Sequence, residues 1–262
     1  MIKIALPEYD DAIIKQAVAE TAGIEPVSCE NLEAAAAAVK AGVADALVAG
    51  INYTSREVIL TCRDVIGMSD ETFSASFWMK DGTGREFIIG DAAACKNPTE
   101  EQLFDIVLQT YQTAKNLLGS EPKVAILSFS TLGSGGKDPS MDRAQAIVKR
   151  VRAEHPEIAI DGEMQLDVAV NPRVAEKKLA GRNSGANSSS VVAGHANVLI
   201  APDLNSGNIL YKAMEQFGGM TAAGPLLQGF KAPVSDLSRG STVEDVKLVF
   251  ESMKKMTQSE KE

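Results

Sequence analysis

The sequence holds 262 residues, 45% of them hydrophobic and 23% charged, which suits one large α/β domain or two modest ones and excludes disordered, collagenous and coiled-coil chains. Lys and Arg number 26 against 35 Asp and Glu, a formal charge of −9 that repels nucleic acid at long range, and one Trp among 5% aromatic residues leaves no stacking platform for single strands. Three cysteines, Cys29, Cys62 and Cys95, lack C-x-x-C spacing and indicate neither a disulfide framework nor a zinc cluster.

The first apolar run, Ile2 to Leu6, reads as a strand. It lacks the basic start and longer apolar core of a signal peptide, and nothing later approaches the roughly 18 apolar residues of a membrane span. The expectation is a soluble, cytoplasmic protein with no membrane partner. An Ala-rich helix follows from about Leu32 to Ala41, stopped by Gly42, and then a strand from Ala46 to Ala49. That strand feeds the segment Gly50 to Glu57, where Thr54-x-x-Glu57 forms a capping box with Arg56 in the first turn, a helix start that would welcome an anion.

Phe73 to Met79 and Glu86 to Ile89 flank the turn Asp81-Gly82-Thr83-Gly84, a hairpin that makes the sheet mixed. From Glu100 to Leu118 the apolar residues recur at helical spacing behind a Thr99-x-x-Gln102 capping box, a core stripe rather than a cofactor box. Val124 to Phe129 is a strand running into Ser130 to Lys137. That glycine-rich loop fails the phosphate-loop pattern, with Thr131 where a glycine belongs and Asp138 where a hydroxyl belongs. His155 and His195 have no partners at ligand spacing, so no metal site is expected. Gly181 to Ser190 is too polar to pack and reads as a mobile loop.

The last third carries the densest chemistry. Val198 to Ala201 is a strand leading through a polar turn, Asp203 to Asn208, into a helix that ends near Phe217, and such turns at strand carboxyl ends are where open α/β sheets bind ligands. Further on, Asp236-Leu237-Ser238-Arg239-Gly240 gathers a carboxylate, a hydroxyl and a guanidinium just before a helix read as capped by Ser241-x-x-Glu244, with Asp245 in its first turn. Strands alternating with helices throughout place the chain in the α/β class with a largely parallel sheet.

The run ANVLIAPDLNSGNILYK, then GPLLQG and PVSDLSRGSTVEDV, resembles the C-terminal signature of the phosphate acetyltransferase and phosphate butyryltransferase family. Upstream, VAILSFSTLGS, IDGEMQLDVAV, the hairpin ending at Asp91 and the NPTEEQ helix start resemble it in the same order, so the similarity spans roughly Val43 to Asp245. The resemblance implies a three-layer α/β/α fold of two domains with a cleft between them, similar to the isocitrate and isopropylmalate dehydrogenases. A discontinuous first domain would comprise residues 1–70 plus 226–262, and a second residues 71–225.

The implied reaction is reversible acyl transfer between coenzyme A and phosphate, acetyl-CoA plus phosphate giving acetyl phosphate plus CoA, or the same with a longer acyl group. CoA is then a substrate, and no permanently bound cofactor is implied. CoA and phosphate or acyl phosphate are the expected partners, and a homodimer the expected assembly. Asp245 matches the family's proposed base, Arg239 its phosphate-binding arginine and Ser238 the neighbouring hydroxyl, with Ser55 lining the same cleft. Thr54, Asp236, Gly207, Asn208, Gln228 and Thr131 enter as further substrate-binding positions. A thiol near pKa 8.5 and a carboxylate near 3.9 differ by about 4.6, so complete proton transfer costs roughly 6 kcal/mol unless the site narrows the gap.

The chain departs from the family at Leu60, where an arginine is usual, and at Leu132, where the S-T-K-G-S pattern has lysine. Arg56 and Arg63, four residues before Leu60 and three after it on one helix face, are the candidates to supply the missing charge. Loss of that charge defines the alternative, a noncatalytic acyl-CoA or phosphorylated-metabolite binding protein on the same scaffold.

Overall fold

A computed structural model describes residues 1–180 and 190–259. In chain order the elements are β1 (Ile2–Leu6), α1 (Ala12–Glu20), β2 (Ile24–Ser28), α2 (Leu32–Lys40), β3 (Ala46–Ala49), α3 (Ser55–Val65), β4 (Ser74–Lys80), β5 (Glu86–Gly90), α4 (Glu100–Leu117) and β6 (Lys123–Leu127). They continue with α5 (Pro139–Glu154), β7 (Ala159–Met164), α6 (Leu166–Val170), α7 (Pro172–Leu179), β8 (Val198–Ile200), α8 (Leu204–Gln216), β9 (Thr221–Gln228), β10 (Val234–Asp236) and α9 (Val243–Ser259). The mobile loop expected at Gly181 to Ser190 lies, apart from Ser190, outside the described residues.

One ten-stranded sheet runs β2-β1-β3-β10-β9-β4-β5-β8-β6-β7. Its two flanks are parallel, and β4 pairs antiparallel with both β5 and β9, so the sheet is mixed as the hairpin requires. The boundary expected near residue 226 falls inside β9, in the middle of this continuous sheet.

Side chains alternate across the strands with period two. Ile4, Val48, Trp78, Ile88, Ile126 and Ile200 point to one face, where they form a single core with α1, α4, α5 and α9. On the other face Leu47, Ala49 and Val234 pack against α2 and α3, whereas Phe77, Ile89, Ala125 and Leu199 pack against α6, α7 and α8. The three-layer α/β/α architecture is therefore present, with one closed face and one face whose core is divided. A register shift between Ser76 and Trp78 lies opposite the stretch of β9 holding Gly224 and Pro225, a bulge of the kind that re-aims backbone beside functional sites.

Candidate active site

The division of the second face leaves a cleft over β9 and β10, walled by the start of α3 and by α8. Two adjoining cavities share Tyr211, Pro225 and Ser238. The first, about 280 Å³, lies against Thr54, Ser55, Asn208, Asp236 and Arg239. The second, about 230 Å³, lies against Phe77, Lys212, Glu215, Gly240 and Asp245.

The α3 side is built by Glu8, a residue for which the sequence offered no local signal. Standing just beyond β1, its carboxylate accepts backbone N–H bonds from Gly50 (2.7 Å), Ile51 (3.2 Å), Asn52 and Tyr53 (3.3 Å), so the turn after β3 is held from a point 42 residues away. This turn delivers Thr54 to the N-cap of α3, where it forms the expected reciprocal capping box with Glu57, and sets Ser55 at the first helical position. Donor groups and the positive end of the helix dipole therefore face the first cavity.

The opposite side comes from the turn after β10, which is parallel to β3, so both strands present their carboxyl ends here. Leu237 donates its N–H to Ala49 carbonyl oxygen at 2.6 Å, tying the turn to that strand end. The Ser238 hydroxyl accepts from Gly240 N–H at 3.2 Å, which leaves its own proton available to a ligand, and Arg239 is exposed on the cavity wall. The capping of α9 differs from expectation. Instead of Ser241 with Glu244, Thr242 and Asp245 form the box: Asp245 Oδ2 accepts from Thr242 N–H and Oγ1, both at 2.8 Å, and Asp245 N–H donates to Thr242 Oγ1 at 3.2 Å. The displacement by one residue matters because it fixes the Asp245 carboxylate at the mouth of the second cavity. Ser241 instead accepts from Ser238 N–H at 3.0 Å.

Asp236 forms the floor of the first cavity. It is 2% exposed, and burial, with the repulsion of Glu8 added, pushes its carboxyl up to about 6 against the opposing pull of the Ser55 hydroxyl. Gly50, at φ 115°, passes so close that a Cβ there would stand 2.4 Å from Asp236 Oδ1, so no side chain is tolerated at this position.

The structure brings together Ser55, Thr54, Asn208, Asp236, Ser238, Arg239 and Asp245, but not every expected residue. Gln228 has the register of Leu226 and so points to the closed face, where it donates to Thr113 Oγ1 at 2.8 Å and accepts from Ser74 at 3.1 Å. It borders a separate cavity between α4 and α9. Thr131 is buried and pins two loops, accepting the N–H of Gln165 at 3.1 Å. Its glycine-rich loop closes on a protein carboxylate, since Glu163 accepts from Gly133 N–H at 2.6 Å and from Ser130 and Gln145. Burial opposes charge on Glu163, yet these donors hold it below the usual carboxylate range. Gly207 serves packing, because a Cβ there would meet the Asp91 carbonyl at 2.2 Å, and its neighbour Asn208 donates to Ala92 carbonyl oxygen at 3.3 Å. Arg56 is exposed in the first turn of α3 and Arg63 pairs with Asp64 at 2.9 Å; neither borders the two cavities.

Sequence reasoning also passed over Tyr211 and Lys212. The Tyr211 ring stacks on Phe77 with centroids 3.8 Å apart, and the Lys212 ammonium lies 4.8 Å from the Tyr211 centroid. Helical spacing alone assigns Tyr211 to the core, and only the divided face turns its edge toward a cavity. Lys212 and Arg239 are the cations on the two cavity walls among the described residues.

Residues 3–250 match the family model described as Phosphate acetyl/butaryl transferase, and the chain belongs to that family. It is 40% identical over 226 residues to a phosphate acetyltransferase from Treponema pallidum, covering 83% of this chain and 65% of that protein. Over 206 residues it is 42% identical to one from Corynebacterium glutamicum, covering 78% of this chain and 60% of that protein. The chain thus matches less than two thirds of the length of these curated relatives. Among solved structures, a phosphotransacetylase from Streptococcus pyogenes superposes with a TM-score of 0.85 at 28% identity, over 98% of this chain and 94% of that one.

Proposed function

We propose that this protein catalyses reversible acyl transfer between coenzyme A and phosphate. The observation that carries this reading is the convergence of Ser238, Arg239 and Asp245 with the N-terminus of α3 around one cleft, in a chain of this family. The first cavity takes the phosphoryl group, against Arg239, the Ser238 hydroxyl and the donors at the start of α3. The second takes the reacting end of CoA, with Asp245 as the base that accepts the thiol proton. The thiolate attacks the acyl carbon directly, with no covalent enzyme intermediate, while Arg239 and the helix dipole stabilise the charge that develops on the oxygens.

Leu60 is a half-buried residue of α3, so the cationic set rests on Arg239 with Lys212 in support. CoA acts as substrate rather than resident cofactor, and a homodimer in the cytoplasm, with domains of residues 1–70 plus 226–262 and 71–225, belongs to the same reading. Sedimentation of the purified protein tests the dimer.

The activity is tested by following free thiol with CoA and acyl phosphates of increasing chain length. At least one acyl phosphate should consume thiol, and Asp245→Asn should slow it by about 10²-fold or more, the usual worth of a positioned base. Absence of turnover with every acyl phosphate overturns the assignment. Calorimetric binding of CoA under those conditions would replace it with the noncatalytic binding role.

A further inference from the structure

Asp236 is the unexplained group in the cleft. It is the last residue of β10, almost wholly buried, and it borders the first cavity together with Ser55 and Arg239. Its Oδ1 is sealed from solvent with no hydrogen-bond partner among the described residues, an arrangement that calls for a reason. The groups around it are Glu8 from the end of β1, Cys62 and Ser55 from α3, and Arg239 on the cavity wall. Glu8 is committed to four backbone donors, and the Cys62 thiol, buried and facing the Asp236 charge, is pushed up to about 12 and stays protonated. Neither is free to donate a proton into the cavity.

A phosphoryl group held here lies beside a buried carboxylate, and two anions so placed repel unless a proton stands between them. The acyl-transfer reading, on which this inference rests, supplies the proton's use. Phosphate expelled without a proton would leave as the trianion, a far poorer leaving group than hydrogen phosphate. We propose that Asp236 is the general acid for the departing phosphate, and in the reverse direction the base that takes the proton of the entering hydrogen phosphate.

The step balances as follows. Sulfur bonds to the acyl carbon and its proton passes to Asp245. The bond from the acyl carbon to the bridging oxygen breaks, its electron pair stays on that oxygen, and the oxygen takes the Asp236 proton. By way of the Ser55 hydroxyl, its hydrogen-bond partner on the cavity wall, Asp236 regains the proton that Asp245 releases. The sum is CoA thiol plus acyl phosphate dianion giving acyl-CoA plus hydrogen phosphate dianion. Two carboxylates in unlike surroundings thus take opposite roles, the half-exposed Asp245 as base and the buried Asp236 as acid.

The test is Asp236→Asn, which keeps the shape and removes the transferable proton. With CoA and acetyl phosphate at pH 7 it should lower kcat about 10²-fold or more, the usual range for general acid catalysis, while KM for CoA stays within about threefold. The wild-type kcat should fall on the alkaline side of a pH profile as Asp236 loses its proton, and the variant should lack that limb. A variant that keeps more than about a third of the wild-type kcat overturns the role, as does a wild-type profile without an alkaline limb, a measurement that needs no variant to fold. A wild type that transfers no acyl group to CoA overturns instead the acyl-transfer reading itself.

Discussion

The two faces of the sheet contrast. The face covered by α1, α4, α5 and α9 carries one core reaching from Ile24 to Ile160, whereas the other face carries two cores that stop on either side of Pro225 and Asp236. The strands are the same, so the difference lies in what each presents. At odd positions of β3 and β6 the divided face still receives Leu47, Ala49, Ala125 and Leu127, but where β9 and β10 cross its centre it receives a bulged Gly224-Pro225 and a carboxylate. Apolar continuity gives one face a single core, with its cavity set aside between α4 and α9, and the interruption of that continuity opens the other face over β9 and β10.

The largest expected effect comes from damaging the closed face. Phe250 of α9 is fully buried there, and Phe250→Ala should cost about 3–5 kcal/mol in denaturant unfolding. Tyr211→Ala on the divided face should cost about 1–2 kcal/mol, because the ring already borders a cavity and loses chiefly its stack on Phe77. Equal costs would break the contrast.

The charge at the centre of the divided face makes the second prediction. Asp236 titrates at 3.8 in an unfolded chain and at about 6 in the fold, so the folded state binds the proton more tightly. Its contribution is complete below pH 3.8 and is lost as pH rises through about 6, a difference on the order of 3 kcal/mol. Thermal melts of wild type and Asp236→Asn across pH 4 to 8 should diverge, the variant gaining on the wild type as pH rises. Parallel curves would show that burial does not burden this carboxylate.

These effects also mark what the sequence made legible. Alternating apolar strands, the capping boxes at Thr54 and Thr99 and the run from Asp236 to Asp245 were readable because each depends on residues close together in the chain. Gln228 was misplaced because its face depends on a register set by the bulge against β4, which a single strand does not reveal. Glu8 went unseen because its four partners lie 42 to 45 residues away, and Thr242 with Asp245 was mistaken for Ser241 with Glu244 because both pairs satisfy the same spacing.

Glu8 gives the third prediction. Glu8→Gln replaces one accepting oxygen with an amide group turned toward backbone N–H donors, leaving buried donors unmet at a cost of about 1–3 kcal/mol. Because the turn it holds delivers Ser55, KM for acyl phosphate should rise more than KM for CoA. An equal rise in both would show that the turn does not belong to the phosphate side alone.

The smallest effect separates the two helix starts that face the cleft. Thr54→Ala and Thr242→Ala each remove a capping hydroxyl, and each should cost about 1 kcal/mol of stability. Their kinetic consequences should part. Thr54 borders the cavity assigned to phosphate, so its loss should raise KM for acyl phosphate with kcat nearly kept. Thr242 instead holds the Asp245 carboxylate, the proposed base, through its hydroxyl at 2.8 Å, and its loss should free that carboxylate to rotate, lowering kcat with KM for acyl phosphate unchanged. Two substitutions with one thermodynamic cost and opposite kinetic signatures would assign one cavity to binding and the other to proton transfer. If both raise KM alone, the Asp245 box is only a helix cap and the base must be sought elsewhere in the cleft.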